Sequence, residues 1–155
     1  MSDKTLQRLN AHRDWANGLY VEWFAGQTEF EPPHFNYCHK MFSHILLAEE
    51  VWLGRILERS HRGPWECLLS PAEMESMHKQ HTGDWEKVLG GGAGLLDRVF
   101  SYRRYNGVEA SSSIADAFTH VCTHGVYHRG QVASAAARAG LKIPSTDFIL
   151  FADLG

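Results

Sequence analysis

Cysteine is scarce: Cys38, Cys67 and Cys122 make an odd count without paired spacing. That pattern speaks against a disulfide scaffold and for reduced thiols, as in a cytosol. No uninterrupted apolar run reaches the length of about 18 residues that a membrane span needs. The N-terminal Met-Ser-Asp-Lys-Thr-Leu-Gln-Arg stretch has no apolar core for a signal peptide. A cytoplasmic location is therefore expected. Positive charge is not in excess either, since 15 Lys and Arg stand against 18 Asp and Glu for a net charge of −3. General attraction to phosphate backbones or anionic lipid is thus missing, and neither nucleic acid nor membrane is an expected partner. Low-complexity tracts and internal repeats are absent too. With 44% hydrophobic and 21% charged residues, the composition is that of a folded globular protein. Residues 1–155 suit a single domain that buries roughly two-thirds of its unfolded surface.

What the chain does have is helical periodicity and ten histidines. Apolar residues recur at helical spacing from about Lys4 to Gly26, through Leu6, Leu9, Trp15, Leu19 and Phe24. Thr28 to Pro33 carries two consecutive prolines and reads as a connection. From Asn36 to Arg59 the apolar residues cover most of a helix circumference, so this helix is expected to be buried on more than one side. Gly63-Pro64 marks a loop over His61 to Leu69, after which Ser70-Pro71-Ala72-Glu73 has the form of a capping box. The third helix is expected to run to about Leu89, where Gly90-Gly91-Gly92-Ala93-Gly94 interrupts it. Val99 to Tyr105 alternates and meets Asn106-Gly107, the signature of a short extended excursion. Ser111 to Ser113 supplies the cap of a last long helix from about Ile114 to Ala139, ended by Gly140. The tail from Pro144 to Gly155 is apolar at Phe148, Ile149, Leu150 and Phe151 and should pack back on the helices. The expected fold is all-α, a four-helix bundle with a short irregular or extended excursion before the last long helix.

In that last helix His120, His124 and His128 follow at successive i, i+4 steps. Neighbours at this spacing lie about 5 to 6 Å apart between Cβ atoms, close enough for two imidazoles to share an ion. A core stripe through Ile114, Ala117, Val121, Gly125, Val132, Ala135 and Ala139 puts His128 within about 20° of its centre, His124 about 60° away and His120 about 100° away. His124 and His128 are thus the expected ligands, and His120 a marginal group. Gly125 and Gly130 add weight, because a helix tolerates glycine where something must approach its backbone. A third ligand should come from a facing helix. There His44 competes with Glu49, which falls near the middle of an apolar stripe. An unpaired carboxylate is costly in such a place, so Glu49 is a ligand, the partner of a ligand's far nitrogen, a proton carrier, or half of an ion pair with an arginine.

The stretch Ser43-His44-Ile45-Leu46-Leu47-Ala48-Glu49-Glu50-Val51-Trp52-Leu53-Gly54-Arg55, His120 through Gln131, and Pro144-Ser145-Thr146-Asp147-Phe148 together resemble the DinB (DinB/YfiT-like) family of metal-binding four-helix bundles. The His-Gly-x-Tyr-His-Arg-Gly-Gln run is the most specific part, and only the glycine-rich break at Gly90 to Gly94 departs from the family pattern. The resemblance implies a three-histidine metal site of His44, His124 and His128. It also implies a transferase or isomerase chemistry that uses a low-molecular-weight thiol.

Three neutral imidazoles leave an ion its charge and an open position, the arrangement of catalytic sites. Zinc, nickel, manganese or iron would serve, since imidazole does not choose sharply among them. The expected function is a metal-dependent thiol S-transferase or hydrolase acting on a small molecule; the alternative is a non-catalytic metal-binding stress-response protein. Tyr127 and Arg129 flank His128 and would orient an anionic substrate at the pocket mouth, or else serve helix packing and surface charge. His78 and His81 lie among polar residues and read as a solvated face, while His12, His34, His39 and His61 read as surface groups. The cysteines have no partner at ligand spacing. Apolar surplus on the first two helices suggests a homodimer.

Overall fold

The computed structural model describes residues 3–27 and 34–155. The connection expected over Thr28–Pro33 and the side chain of His34 lie outside the described residues. Among the described residues six helices and one hairpin follow in the order α1 (Asp3–Ala25), α2 (His34–Leu57), α3 (Pro71–Gly90), α4 (Ala93–Leu96), β1 (Val99–Arg103), β2 (Glu109–Ser113), α5 (Ile114–Arg138) and α6 (Phe148–Ala152). Each boundary has a local cause. Helix α2 stops at Leu57 because Glu58 takes the left-handed φ of 54°. The Arg59 N–H then donates to the Gly54 carbonyl at 2.9 Å, a Schellman-type closure without the usual glycine. The Ser70–Glu73 capping box forms at the start of α3, and Ser113 Oγ accepts from Asp116 N at the start of α5.

The expected excursion is an antiparallel hairpin, with Val99 opposite Ser113 and Tyr102 opposite Ala110. Its turn holds Gly107 at φ 82°, a conformation that only glycine adopts without cost. The second strand, Glu109–Ser113, lacks apolar alternation and was not anticipated; the first strand recruits it. After the glycine break, Leu95 and Leu96 fall in the single turn of α4.

Four long helices bury two apolar clusters. One gathers Tyr20, Phe24, Phe42, Leu46, Leu47, Met74, Val132 and Ala136. The other gathers Leu6, Leu53, Ile56, Trp85, Leu89, Ile114, Phe118 and Val121. The order in which each helix meets the two clusters gives its direction. Helices α1 and α5 run one way and α2 and α3 the other, so the connection over 58–70 must travel back along the bundle. It does so against α2: Arg62 donates to Glu50, Pro64 accepts from His44, and the Leu69 N–H donates to Ser43. Helix α6 returns to α1, where Phe148 and Phe151 meet the ring of His12 and Phe151 that of Trp15. The apolar surplus of α1 and α2 goes mostly into the core; Tyr37 and Leu57 are the large apolar residues of these helices left exposed. Among the described residues, no helix is long and apolar enough to cross a membrane.

Candidate metal centre

Helix α2 packs most extensively on α5, and this contact brings His44 to His124 and His128. One nitrogen from each of the three rings lies within 4.8 Å of the other two. His44 Nε2 and His124 Nε2 are 3.1 Å apart, and the ring centroids are separated by 4.4 to 5.0 Å. His44 is buried and the two α5 histidines are half-buried.

Neighbours orient two of the rings. His44 Nδ1–H donates to the Pro64 carbonyl at 2.8 Å, and His128 Nδ1–H donates to Gln131 Oε1 at 2.8 Å. With the proton held on Nδ1, the Nε2 lone pair of each ring is left available, as metal-ligating histidines require. Trp65 stacks on His44 with centroids 3.6 Å apart and planes 7° from parallel. Burial above all, with the neighbouring His128, His44 and His120 acting in the same direction, pushes the His124 imidazole down to about 3. His44 is also lowered, chiefly by burial, with the Pro64 bond opposing and His128 adding to the fall. Neutral imidazoles are the ligating form. Two nitrogens of one tetrahedral zinc lie about 3.3 Å apart for bonds of about 2.05 Å, near the 3.1 Å found between His44 and His124. The residues fit one ion.

Several expectations need correction. The buried stripe of α5 includes Phe118, Cys122, Arg129 and Ala136, which rotates its centre away from the histidines. His124 and His128 therefore sit at the stripe's margin, where His124 lines a groove. The space at Gly125 serves Arg129: a Cβ there would lie 3.0 Å from Arg129 Nη1, while a Cβ at Gly130 would meet nothing within 4 Å. Arg129 itself is only 2% exposed. It is neither at a pocket mouth nor a surface charge, because its guanidinium reaches into the core and donates to Asn17 Oδ1 at 2.8 Å. Tyr127 is 65% exposed and meets His128 edge-on.

Glu49 takes the ion-pair alternative. Its carboxylate accepts from Arg13 Nη1 at 2.7 Å, Trp85 Nε1 at 2.8 Å and Asn17 Nδ2 at 3.3 Å. This polar layer draws on α1, α2, α3 and α5 and lies between the two apolar clusters. His81 belongs to it at 1% exposure, with Nδ1 3.8 Å from Glu49. The solvated face expected for His78 and His81 is thus wrong: α3 turns His81 inward, and His78 is partly buried 3.7 Å from Asp14. His12 is buried as well, under α6, with Nε2–H donating to the Thr146 carbonyl at 2.9 Å. His39 is half-buried and donates to the Leu69 carbonyl at 2.6 Å, whereas His61 is exposed as expected. The three cysteines are free, and burial raises the Cys122 thiol to about 12.

Sequence reasoning missed the orienting groups. Gln131 is one turn after His128 and was detectable at i, i+3 spacing; Pro64 and Trp65 arrive by chain reversal and carry no local signal. His120 stays at the margin as expected, exposed and against Trp52. It lines a cavity of about 520 Å³ with His44, His124, Trp52, Arg55, Trp65, Tyr102 and Asp116 among its walls.

A family model described as DinB family matches residues 1–155. No curated protein matches the chain.

Proposed function

Because the chain belongs to the DinB family, we propose that His44, His124 and His128 hold one divalent transition-metal ion that serves a reaction on a small-molecule substrate, thiol S-transfer or hydrolysis. The observation that carries this reading is the convergence of three imidazoles from two helices, two of them with the outer nitrogen already engaged, at Pro64 and Gln131. Bound there, a zinc, nickel, manganese or iron ion supplies Lewis acidity that activates water or a thiol. The chain's own residues do the rest. Pro64 and Gln131 hold the protons on the far side of two rings, Trp65 shields one face of His44, and the groove beside His120 admits the substrate. This open cavity favours catalysis over simple storage, since a closed site has no place for a reactant.

The test begins with elemental analysis of protein purified without added metal, followed by titration of the metal-free protein with zinc, nickel, manganese and iron. One equivalent is expected, and His128→Ala should abolish it; unchanged stoichiometry in the variant overturns the site. Conjugation of small thiols to an electrophile, and ester hydrolysis, then test the chemistry. Absence of turnover with every metal would favour a metal-binding protein without catalysis.

A further inference from the structure

The groove continues well beyond the histidines, and its far end has a chemistry of its own. Along α2, His44, Ala48, Val51, Trp52 and Arg55 all line it. From His44 to Arg55 is eleven residues, a rise of about 16 Å with a net rotation of about 20°. Arg55 therefore shares the face of His44, and helical side chains lean toward the N-terminus, here toward the histidines. The guanidinium lies 4.8 Å from the Trp52 ring centroid and 4.7 Å from that of Tyr102, and its Nη2 donates to the Arg103 carbonyl at 3.2 Å. Two aromatic faces and a carbonyl fix it in place.

No carboxylate pairs with it among the described residues. Arg13, Arg59, Arg62 and Arg103 each have an acidic partner, namely Glu49, Asp84, Glu50 and Glu109. Arg55 and Arg104, the two arginines on the cavity wall, have none; the wall's one carboxylate is that of Asp116. We propose that the cavity binds an elongated small molecule whose carboxylate is held by Arg55, with its reacting end at the three histidines. This rests on the metal reading above. A carboxylate is the group that fits: Arg55 has spent one donor on Arg103 and keeps enough of its planar fork for one bidentate contact. A dianionic phosphate would meet more repulsion from Asp116. The length follows from the helix. Of the 16 Å rise, the Arg55 side chain, leaning back along the helix, spans part, leaving a gap of roughly 10 Å for the molecule. A volume of about 520 Å³ is within the usual range for small-molecule sites.

The test uses cobalt(II)-loaded protein titrated with ω-mercaptoalkanoates of increasing length and with mercapto-alcohols of matching length. The charge-transfer absorption of a thiolate on cobalt reports the near end, and the difference in affinity between acid and alcohol at each length reports the far end. At the best length the acid should bind about ten- to a hundredfold more tightly than the alcohol, the worth of a charge-assisted contact. Arg55→Met, which keeps the aliphatic stem over Trp52, should cut that preference below about twofold with cobalt stoichiometry unchanged. Arg55→Lys, which keeps charge but not the fork, should retain part of it. Equal binding of acid and alcohol at every length, or a preference that survives in Arg55→Met, overturns the assignment. Failure to take up cobalt sinks the metal reading instead, a result the stoichiometry separates from the other two.

Discussion

Replacing Glu49 by Gln tests the polar layer most sharply. The carboxylate is 1% exposed and its partner Arg13 is 2% exposed, so solvent screens neither. Gln keeps the shape and an acceptor for Trp85 but removes the charge opposite Arg13 and, through Asn17, Arg129. Taking one partner from a buried ion pair costs about 3 to 5 kcal/mol, and the Arg13 charge would keep only the longer contact to the more exposed Asp14, at 3.6 Å. Against a total stability of about 5 to 15 kcal/mol, that is a large share. At about 2 to 4 °C per kcal/mol for a chain of this size, Tm should fall by roughly 6 to 20 °C. Urea unfolding followed by far-UV circular dichroism should show a lower midpoint with an unchanged slope. A compensating Glu49→Leu, Arg13→Met double variant should recover much of the loss, since buried pairs are often replaceable by apolar side chains. Metal stoichiometry should not change in Glu49→Gln. A stability within about 0.5 kcal/mol of the parent would refute the assigned role. Loss of metal with stability intact would return Glu49 to the metal site.

Two glycines of α5 should respond oppositely to alanine. Gly130→Ala enters open space and should stabilise by about 0.5 to 1 kcal/mol through helix propensity. Gly125→Ala pushes on a buried guanidinium already bonded to Asn17, so its Tm should drop; a gain equal to that of Gly130→Ala would disprove the packing. Stability should also fall in acid. His12, His78 and His81 are each held below the ordinary 6.5, chiefly by burial, so below that pH the unfolded chain binds more protons than the folded one. The contribution is complete above about pH 6.5 and is lost as pH falls from there through the lowered folded values. Tm measured from pH 7.5 to 5 should decline, and His81→Gln should flatten the slope; a Tm independent of pH would contradict the buried neutral state.

Much of the architecture was legible because it rests on local rules. Apolar period, the Ser70–Glu73 box, Ser113, Asn106-Gly107 and Gly140 each act within a few residues. They fixed α1, α2, α3, the hairpin turn and α5 to within about two residues of the observed bounds, the usual precision for helix ends. The pairing of His124 with His128 was equally local, a matter of one helical turn. Choosing His44 over Glu49 was not local, and periodicity left both open until the resemblance decided. In the fold, Glu49 instead meets Arg13, a residue 36 positions away.

Other misreadings share that cause. Arg129, His81 and His12 looked like surface groups because a buried charge or imidazole is costly alone, and the sequence does not show which partners remove the cost. Their partners are far away in the chain, Asn17 on another helix for Arg129 and Thr146, in the segment before α6, for His12. The sequence by itself determined which segments are helical and which histidines share a turn, since hydrogen bonds and side chains within a turn decide both. Only the tertiary structure decided that the 58–70 chain turns back to give His44 its Pro64 acceptor, and that two arginines stay unpaired in the groove. Those outcomes depend on which helix faces which, a global balance of burial that no single stretch encodes.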